Sequence, residues 1–243
     1  MGIFRTALHA VGELVWPRNC LVCDAGMPAE PSSLCLCPSC TSALISESFS
    51  TCSRCASSIG PHVPTALGCS RCLNEKYHFK SAQRLGVYDG VLRDAILKSK
   101  NPGQEILAET MGLLWGEQFR SRLLQSAPQI IVPVPLHWRR RWERGFNQSE
   151  SVARGLSVAL KLPLSCWAVR RVRATPSQTS QTPTERRKNV IGAFRSGGFA
   201  TVKDLRILLV DDVLTTGATS EAVTLALLAA GAAQVDVAVL AHR

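Results

Sequence analysis

The feature that most constrains the fold of this chain is a duplicated cysteine pattern near its amino terminus. The pattern C-x2-C-x13-C-x2-C occurs twice, and each cysteine of the second copy follows its counterpart by 32 residues. Two such pairs of thiolates complete the closed tetrahedral shell that structural zinc prefers. The sequence therefore predicts two structural Zn2+ sites, with these ligands: Cys20, Cys23, Cys37 and Cys40 in the first, and Cys52, Cys55, Cys69 and Cys72 in the second.

Two alternatives to this interpretation of the cysteines stay open. Four cysteines also hold iron–sulfur clusters, and a crossed arrangement, in which the first and third CxxC turns share one ion, has compatible ligands. Large apolar residues between Cys20 and Cys72 follow no clear helical or strand period. We therefore expect metal binding to supply most of the folding free energy of this region.

Composition places the chain among globular proteins. Hydrophobic residues make up 46% and charged residues 19% of the 243 residues, which excludes a disordered chain. No stretch reaches the roughly 18 uncharged apolar residues that a membrane span requires. The amino terminus lacks the apolar core and cleavage site of a signal peptide. The sequence predicts a cytoplasmic protein, with a short helix over residues 1–18.

Positive charge is concentrated in one segment of the chain. Residues 137–195 contain thirteen Lys and Arg against three Glu, whereas residues 1–78 contain five charges of each sign. Such a segment is either a solvated face or the contact for a phosphate-rich partner. Trp138, Trp142 and Phe146 interleave with arginines there, which is typical of proteins that bind single-stranded nucleic acid. A spacing of four also suits one helical face turned towards the core.

Beyond residue 78, apolar strands alternate with helical segments. Strands are predicted for "RLGVYDG", "QIIVPVP", "LSCWAVRRV", "RILLV" and "QVDVAVLA", and helices for "VLRDAILKSK" and residues 104–124, 147–160 and 218–230. The polar stretch over residues 174–184 is predicted to be a mobile loop. Alternation of this kind predicts an α/β fold, a parallel sheet with helices on both faces. Its binding loops are expected at the carboxyl ends of the strands.

The segment "RILLVDDVLTTGATS" places two carboxylates, Asp211 and Asp212, at the end of a buried strand. Threonine hydroxyls and backbone N–H groups at the start of the next helix form an anion cradle, and Gly217 lets the backbone approach closely. Neither the P-loop lysine nor a GxGxxG pattern is present. Paired carboxylates repel a bare nucleotide's phosphates but suit ribose hydroxyls. We therefore predict a sugar-phosphate site; an acidic strand end beside an ordinary helix cap is the simpler alternative.

These residues resemble the phosphoribosyl pyrophosphate motif of type I phosphoribosyltransferases. The doubled CxxC region, "VPVPLHWRRRWERGFNQSE" and "TPSQTSQTPTERRKNVIGAF" resemble the ComF/GntX proteins across nearly the whole chain. The resemblance implies a small zinc-ribbon module followed by a type I phosphoribosyltransferase-like sheet. We expect a double zinc ribbon over residues 19–78 and the phosphoribosyltransferase-like domain over residues 79–243.

The resemblance also implies ligands, site residues and a role. Phosphoribosyl pyrophosphate, with Mg2+, is expected at Asp211, Asp212, Val213, Leu214, Thr215, Thr216, Gly217, Ala218 and Thr219. Contacts to pyrophosphate or DNA are expected from Pro135, His137, Arg139, Arg140 and Arg144, and, on a loop that closes over the site, from Arg186, Arg187 and Lys188.

The implied role is DNA uptake in natural transformation, with single-stranded DNA and other DNA-uptake or recombination proteins as partners. Mg2+-dependent transfer of phosphoribosyl to an unidentified acceptor is the alternative. The chain contains no recognisable acceptor-binding segment, so the sequence leaves enzyme and binding protein as open alternatives.

Overall fold

The computed structural model describes residues 19–27, 34–45, 50–60, 63, 68–173, 189–198 and 202–243. The predicted helix over residues 1–18 and the predicted mobile loop lie outside the described residues, and so do Arg186, Arg187 and Lys188. Within the described ranges, no helix is long and apolar enough to cross a membrane.

A four-stranded parallel sheet forms the centre of the structure. Its strands are β3 (Ala82–Val87), β4 (Ile130–Pro133), β7 (Arg206–Leu214) and β8 (Gln234–His242), in the order β3-β8-β7-β4. Every neighbouring pair in this sheet is parallel. Two antiparallel pairs lie outside it: β1 (Ser50–Thr51) with β2 (Ser58–Ile59), and β5 (Val169–Arg171) with β6 (Phe194–Ser196).

Helices cover both faces of the sheet, as the sequence predicts. They are α1 (Pro38–Ile45), α2 (Gly90–Lys98), α3 (Glu105–Gln118), α4 (Arg120–Leu123), α5 (Trp138–Arg144), α6 (Gln148–Leu160) and α7 (Ala218–Ala229). Side chains alternate across a strand, so Leu208 and Val210 of β7 join the core cluster of α2, α3 and α6. Ile207 and Leu209 join a second cluster, which contains the buried apolar residues of α7.

Helices α3 and α6 approach each other so closely that their glycines have no room for a side chain. A Cβ atom at Gly155 would lie 2.0 Å from the carbonyl oxygen of Glu109, and one at Gly112 would lie 2.1 Å from that of Val152. Because α6 begins at Gln148, this packing fixes the start of α6 against the sheet. The candidate functional site uses a side chain from that first turn.

The two cysteine modules, around residues 20–40 and 52–72, are attached to the sheet in different ways. Cys20 and Cys40 belong to the core cluster of α2 and α3, together with Leu44 of α1. The cysteines of the second module form a separate cluster, and this module is joined to β3 by hydrogen bonds. The backbone N–H of Ala82 donates to the Ser53 carbonyl at 3.0 Å, and Arg84 donates to the Ala56 carbonyl at 2.9 Å.

Three details of the predicted secondary structure are wrong. The helix predicted for residues 104–124 is divided at Phe119, which separates α3 from α4. The strand predicted for "LSCWAVRRV" is broken in two: Leu164 forms an isolated parallel bridge with Ile131 of β4, whereas β5 pairs with β6 and not with the main sheet. Helix α1 interrupts the cysteine region, where the sequence shows no helical period.

Candidate functional site

Each four-cysteine set converges on one point. All four sulfur atoms of each set lie within 4.8 Å of one another. Sulfur pairs are separated by 3.7 Å for Cys23–Cys37, 3.8 Å for Cys52–Cys72 and 3.6 Å for Cys55–Cys69. A tetrahedron with Zn–S bonds of about 2.3 Å has sulfur–sulfur edges of about 3.8 Å. The residues therefore fit a single tetrahedral metal ion at each site.

The grouping of the cysteines settles the question of their pairing. Each set combines consecutive CxxC turns, so the sequential arrangement is observed and the crossed one is not. The Ser39 hydroxyl lies 3.1 Å from the sulfur of Cys37, and this hydrogen bond, aided by the Cys40 backbone, lowers the pKa of Cys37 to about 6. A thiolate at neutral pH is the form that binds a metal ion.

The two carboxylates lie within β7 (Arg206–Leu214), because the strand continues beyond the predicted "RILLV" segment. Strand pairing with β8 continues beyond Asp211 to Leu214. Asp211 is buried and accepts hydrogen bonds from the Ser149 hydroxyl and the Asp212 N–H, both at 2.9 Å. Asp212 is partly exposed and pairs with Lys100 at 2.9 Å. The Asp211 carboxylate is thus fixed by two hydrogen bonds, while the Asp212 carboxylate is paired with the Lys100 ammonium group.

Burial makes the Asp211 carboxyl a much weaker acid than usual. Desolvation and the neighbouring Asp212 charge raise its pKa to about 7, although the Asp212 N–H, Ser149 and Lys100 all favour the ionised form. Charged and neutral forms are therefore both populated near neutral pH. A sugar hydroxyl or a metal-bound water that reached Asp211 would stabilise the charged form.

The loop after β7 has the backbone shape that the anion cradle requires. Gly217 adopts a left-handed conformation, with φ +72°, and precedes α7. The Ala218 N–H donates to the Thr216 hydroxyl at 3.4 Å. Thr215, Thr216 and Thr219 are partly exposed, whereas Leu214 is buried and its carbonyl accepts from Arg243 at 3.0 Å. Val213 donates its N–H to the Asp212 carboxylate at 2.7 Å.

The turn after β4 lies beside these carboxylates. The Val134 N–H donates to the Val210 carbonyl at 2.8 Å, next to Asp211 in sequence. Asn147 occupies the N-cap position of α6, but its side chain makes no cap hydrogen bond there. It donates instead to the Val134 carbonyl at 3.0 Å. The structure thus brings the predicted pyrophosphate turn to the carboxylate strand and fixes it with a buried amide.

His137 stands at the start of α5 and is uncharged at neutral pH. Its Nδ1 atom accepts the Arg139 N–H at 3.3 Å. Burial, followed by the positive charges of Arg171, Arg139 and Arg140, lowers its pKa. Burial and the charge of Arg140 also lower the pKa of Arg171, whereas Asp211 opposes this shift. The positive charge of Arg171 therefore interacts with both His137 and Asp211.

Three predicted arginine contacts, Arg139, Arg140 and Arg144, lie on α5, and Pro135 lies just before this helix. Arg139 is exposed and lies over the Trp138 ring at 5.3 Å, while Pro135, Arg140 and Arg144 are partly buried. Helix α5 ends at Arg144, and Gly145 caps it in a left-handed conformation.

The prediction of one aromatic face on α5 is wrong for Phe146. That residue lies beyond the end of the helix and is buried, whereas Trp138 and Trp142 are 65% and 86% exposed. These two tryptophans therefore form no core-facing stripe. They lie four residues apart, which places them on one exposed face of the helix.

An apolar cleft of about 420 Å3 adjoins the loop after β7. Thr216 and Ala218 line it beside the loop, Tyr77 and Phe194 contribute aromatic walls, and Glu221 contributes a carboxylate. Asp211 and Asp212 are not among its lining residues. The cleft therefore lies to one side of the carboxylate pair.

Several side chains at the site were not predicted from the sequence. Lys100 is the last residue of a predicted helix, Ser149 follows the RGFNQ segment, and Arg171 is the second-last residue of a predicted strand. Tyr77 comes from the cysteine region, and its hydroxyl donates to the Thr216 carbonyl at 3.1 Å. Each is distant in sequence from Asp211, so no local pattern indicates its position.

Comparison with known proteins agrees with this geometry. Residues 144–243 match the family described as "Phosphoribosyl transferase domain". The purine phosphoribosyltransferase from Pyrococcus horikoshii aligns with a TM-score of 0.34 and 18% identity, covering 58% of this chain and 75% of its own, which is too weak to carry an argument. The sheet, the cysteine sites and the family match define a phosphoribosyltransferase-like protein with amino-terminal zinc-ribbon-like modules.

Relatives along the whole chain narrow the class. DNA utilization protein YhgH of Salmonella typhimurium is 33% identical over 227 residues, covering 92% of this chain and 96% of that protein. Competence protein F of Haemophilus influenzae is 30% identical over 227 residues, covering 90% and 94%. The chain belongs to the ComF/GntX family, which confirms the resemblance in sequence motifs.

Proposed function

We propose that the protein acts in DNA uptake, where it binds single-stranded DNA along a basic surface and phosphoribosyl pyrophosphate at the loop after β7. The names of its relatives, a competence protein and DNA utilization proteins, support the role in DNA handling. We further propose that it works in the cytoplasm with other DNA-uptake or recombination proteins. The physical argument for DNA contact comes from the described surface.

The main support for the proposed contact with single-stranded DNA is helix α5. None of its residues, all of which the structure describes, is buried. Trp138 and Trp142 are exposed on one face, and Arg139 lies over the Trp138 ring. In proteins that bind single strands, bases stack on exposed aromatic side chains while arginines contact the phosphates. The arrangement suits a single strand better than a duplex, whose bases are already stacked.

The hairpin of β5 and β6 extends this basic surface. Arg170 lies directly opposite Arg195 in the strand register, and both side chains are exposed. Like charges in this position destabilise a hairpin, and a bound phosphate group would relieve the repulsion. The coupling between Arg140 and Arg171 connects the hairpin electrostatically to α5. We propose that the DNA backbone follows this surface.

At the loop, we propose that the threonine hydroxyls and backbone N–H groups bind the 5'-phosphate of phosphoribosyl pyrophosphate. Asp211 and Asp212 then accept hydrogen bonds from the ribose hydroxyls or from water on Mg2+. His137 and the arginines of α5 would then contact the pyrophosphate. Arg186, Arg187 and Lys188, which lie outside the described residues, are proposed as further pyrophosphate contacts. The proximity of the Val134 turn to β7 supports this arrangement.

We also propose that each four-cysteine set holds structural zinc, and that residues 19–78 and 79–243 are the two functional divisions of the chain. Two equivalents of zinc by elemental analysis, with a colourless protein, would support this assignment. Iron in the purified protein, with visible absorption, would show that the sites hold iron instead.

Fluorescence anisotropy of a labelled single-stranded oligonucleotide tests the DNA proposal. The Trp138→Ala, Trp142→Ala double variant should bind roughly 30-fold or more weakly, since each stacked base contributes about 1–3 kcal/mol. Its salt dependence should stay unchanged, because no phosphate contact is removed. The matched control is Trp167→Ala, which removes a tryptophan that is 69% exposed outside α5.

Two further outcomes of this assay are informative. The Arg170→Ala, Arg195→Ala double variant should have a shallower salt slope, because it loses phosphate contacts. Wild-type binding that disappears at about 150 mM salt would reject specific recognition of single-stranded DNA. Equal losses in the α5 and Trp167 variants would reject α5 as the stacking surface.

A phosphoribosyltransferase is the second candidate, and the buried Asp211 with its Ser149 partner favours it. Two carboxylates beside an anion cradle are suited to hold a ribose during transfer. Pyrophosphate release from phosphoribosyl pyrophosphate and Mg2+, measured across a set of nitrogen-containing acceptors, tests this reaction. Release that is lost in Asp211→Asn would establish transfer, whereas tight binding without release would leave a ligand-sensing site.

A further inference from the structure

The second cysteine module, around residues 52–72, contacts the loop after β7 through one aromatic side chain, Tyr77. This loop, residues 215–219, is the proposed phosphate loop. Tyr77 follows Cys72 along the chain, and its hydroxyl donates to the Thr216 carbonyl at 3.1 Å. Its ring covers Gly217 so closely that a Cβ atom there would lie 2.9 Å from Cε1 of the ring. The residue that gives the loop its left-handed turn is therefore in direct contact with Tyr77.

Tyr77 is itself held by the cysteine module. Arg54, which lies between Cys52 and Cys55 in sequence, has its guanidinium 5.9 Å from the centre of the Tyr77 ring. The same guanidinium donates to the Cys72 carbonyl at 2.9 Å and to the Glu75 carbonyl at 2.5 Å. It thus connects both halves of the cysteine module to the segment that leads into Tyr77.

Two residues next to Tyr77 in sequence add further support. The Phe79 ring stacks on Tyr77, with centroids 4.5 Å apart. The His78 N–H donates to the Glu221 carboxylate at 2.8 Å, and the His78 imidazole contacts the other oxygen. Glu221 lies in the first turn of α7. The cysteine module therefore contacts both the loop and the helix that together form the anion cradle.

The bond from Tyr77 also determines the direction of one backbone donor. The peptide unit between Thr216 and Gly217 is planar and trans, so its carbonyl and its N–H point in opposite directions. Because Tyr77 holds the carbonyl, the Gly217 N–H is directed away from the tyrosine. Rotation of this peptide would turn an acceptor towards the space where the N–H now points, and an anion would be repelled.

We propose that Tyr77 is a positioning residue for the phosphate loop, and that Arg54 and Tyr77 form a strut through which the second cysteine module sets the affinity of this loop for phosphate. The inference rests on the proposed binding of phosphoribosyl pyrophosphate at the loop. Its consequence is that the cysteine module contributes to ligand binding without contacting the ligand.

The test is a comparison of Tyr77→Phe with Tyr88→Phe. The chain contains two tyrosines, so the second substitution is a matched control that removes the other phenol hydroxyl. Isothermal titration with phosphoribosyl pyrophosphate and Mg2+ should show that Tyr77→Phe binds about 3- to 10-fold more weakly, the effect of one lost hydrogen bond. Arg54→Met should weaken binding at least as much. Zinc content and DNA affinity should match wild type in both tyrosine variants.

Amide hydrogen exchange of residues 213–219, measured without any ligand, separates the strut from the ligand assignment. Faster exchange in Tyr77→Phe, with no change in Tyr88→Phe, supports the strut whether or not the protein binds phosphoribosyl pyrophosphate. Failure of wild-type protein to bind phosphoribosyl pyrophosphate would reject the proposed ligand but not the strut. Unchanged exchange in Tyr77→Phe overturns the strut. Equal affinities of wild type and Tyr77→Phe would also overturn it and leave the proposed ligand standing.

Discussion

Substitution of Gly217 by alanine should destabilise the protein for two separable reasons. The first is backbone strain, because Gly217 has φ +72° and an L-residue in the left-handed region costs about 1–2 kcal/mol. The second is a steric contact, because the new Cβ atom would lie 2.9 Å from Cε1 of Tyr77. Overpacking of this kind costs about 1–3 kcal/mol. A shift of the ring away from this Cβ atom would strain its hydrogen bond to the Thr216 carbonyl.

Gly145→Ala is the matched control for this prediction. Gly145 has φ +80°, and among the described residues a Cβ atom there would meet nothing within 4 Å. Gly145→Ala therefore introduces the backbone strain without a steric contact of the new Cβ atom. For a chain of this size 1 kcal/mol corresponds to about 2–4 °C in Tm, so Gly145→Ala should lower the Tm by about 2–8 °C. Gly217→Ala should lower it by a further 2–12 °C or so.

Differential scanning calorimetry of four variants checks this reasoning. The steric part should disappear when Gly217→Ala is combined with Tyr77→Ala and compared with Tyr77→Ala alone, because the ring that the methyl group meets is then absent. Equal Tm values for Gly217→Ala and Gly145→Ala would refute the contact. A steric loss that persists without the Tyr77 ring would refute its assignment to Tyr77.

Burial and packing lead to three further predictions. Asp211 has its pKa raised to about 7, so the native state binds an extra proton between pH 4 and 7, and the unfolding free energy should fall as pH rises through this range; in denaturant titrations this slope should be absent in Asp211→Asn. Gly155→Ala should cost about 3 kcal/mol or more in chemical denaturation, because α3 and α6 must separate, whereas Gly26→Ala, at an exposed glycine where a Cβ atom meets nothing within 4 Å, should cost much less. Cys55→Ser should lose one metal equivalent in elemental analysis, and Cys35→Ser should lose none.

The parts of the site that follow from local pattern were predicted from the sequence. The β7 strand and the start of α7 are each encoded by contiguous residues, and the cysteine ligands by short spacings. Asp211 and Asp212 could therefore be placed beside the Thr215–Thr219 loop from the order of residues alone. The sequence also indicated the parallel sheet, since buried strands alternate with helices.

Contacts between distant segments could not be predicted in this way. Ser149 reaches Asp211 because α6 packs against β7, and Tyr77 reaches Thr216 across 139 residues of sequence. Neither contact has a periodic signal. The end of α5 shows a second limit: the four-residue spacing continues to Phe146, but Gly145 adopts a left-handed conformation and stops the helix first. Residue spacing predicts which side chains share a helical face only between the first and last residues of the helix.

The two copies of the cysteine pattern have the same ligands but different protection from solvent. In the first copy Cys23 is exposed and Cys37 is partly exposed, whereas all four cysteines of the second copy are buried. The two ions should therefore differ in lifetime: a chelator or an oxidant reaches the first site directly but reaches the second only after local unfolding. Metal release followed with a chromogenic dye should show a fast and a slow equivalent. The slowly exchanging ion should be the one in the second module, which contacts the loop after β7, so brief zinc depletion should spare that loop.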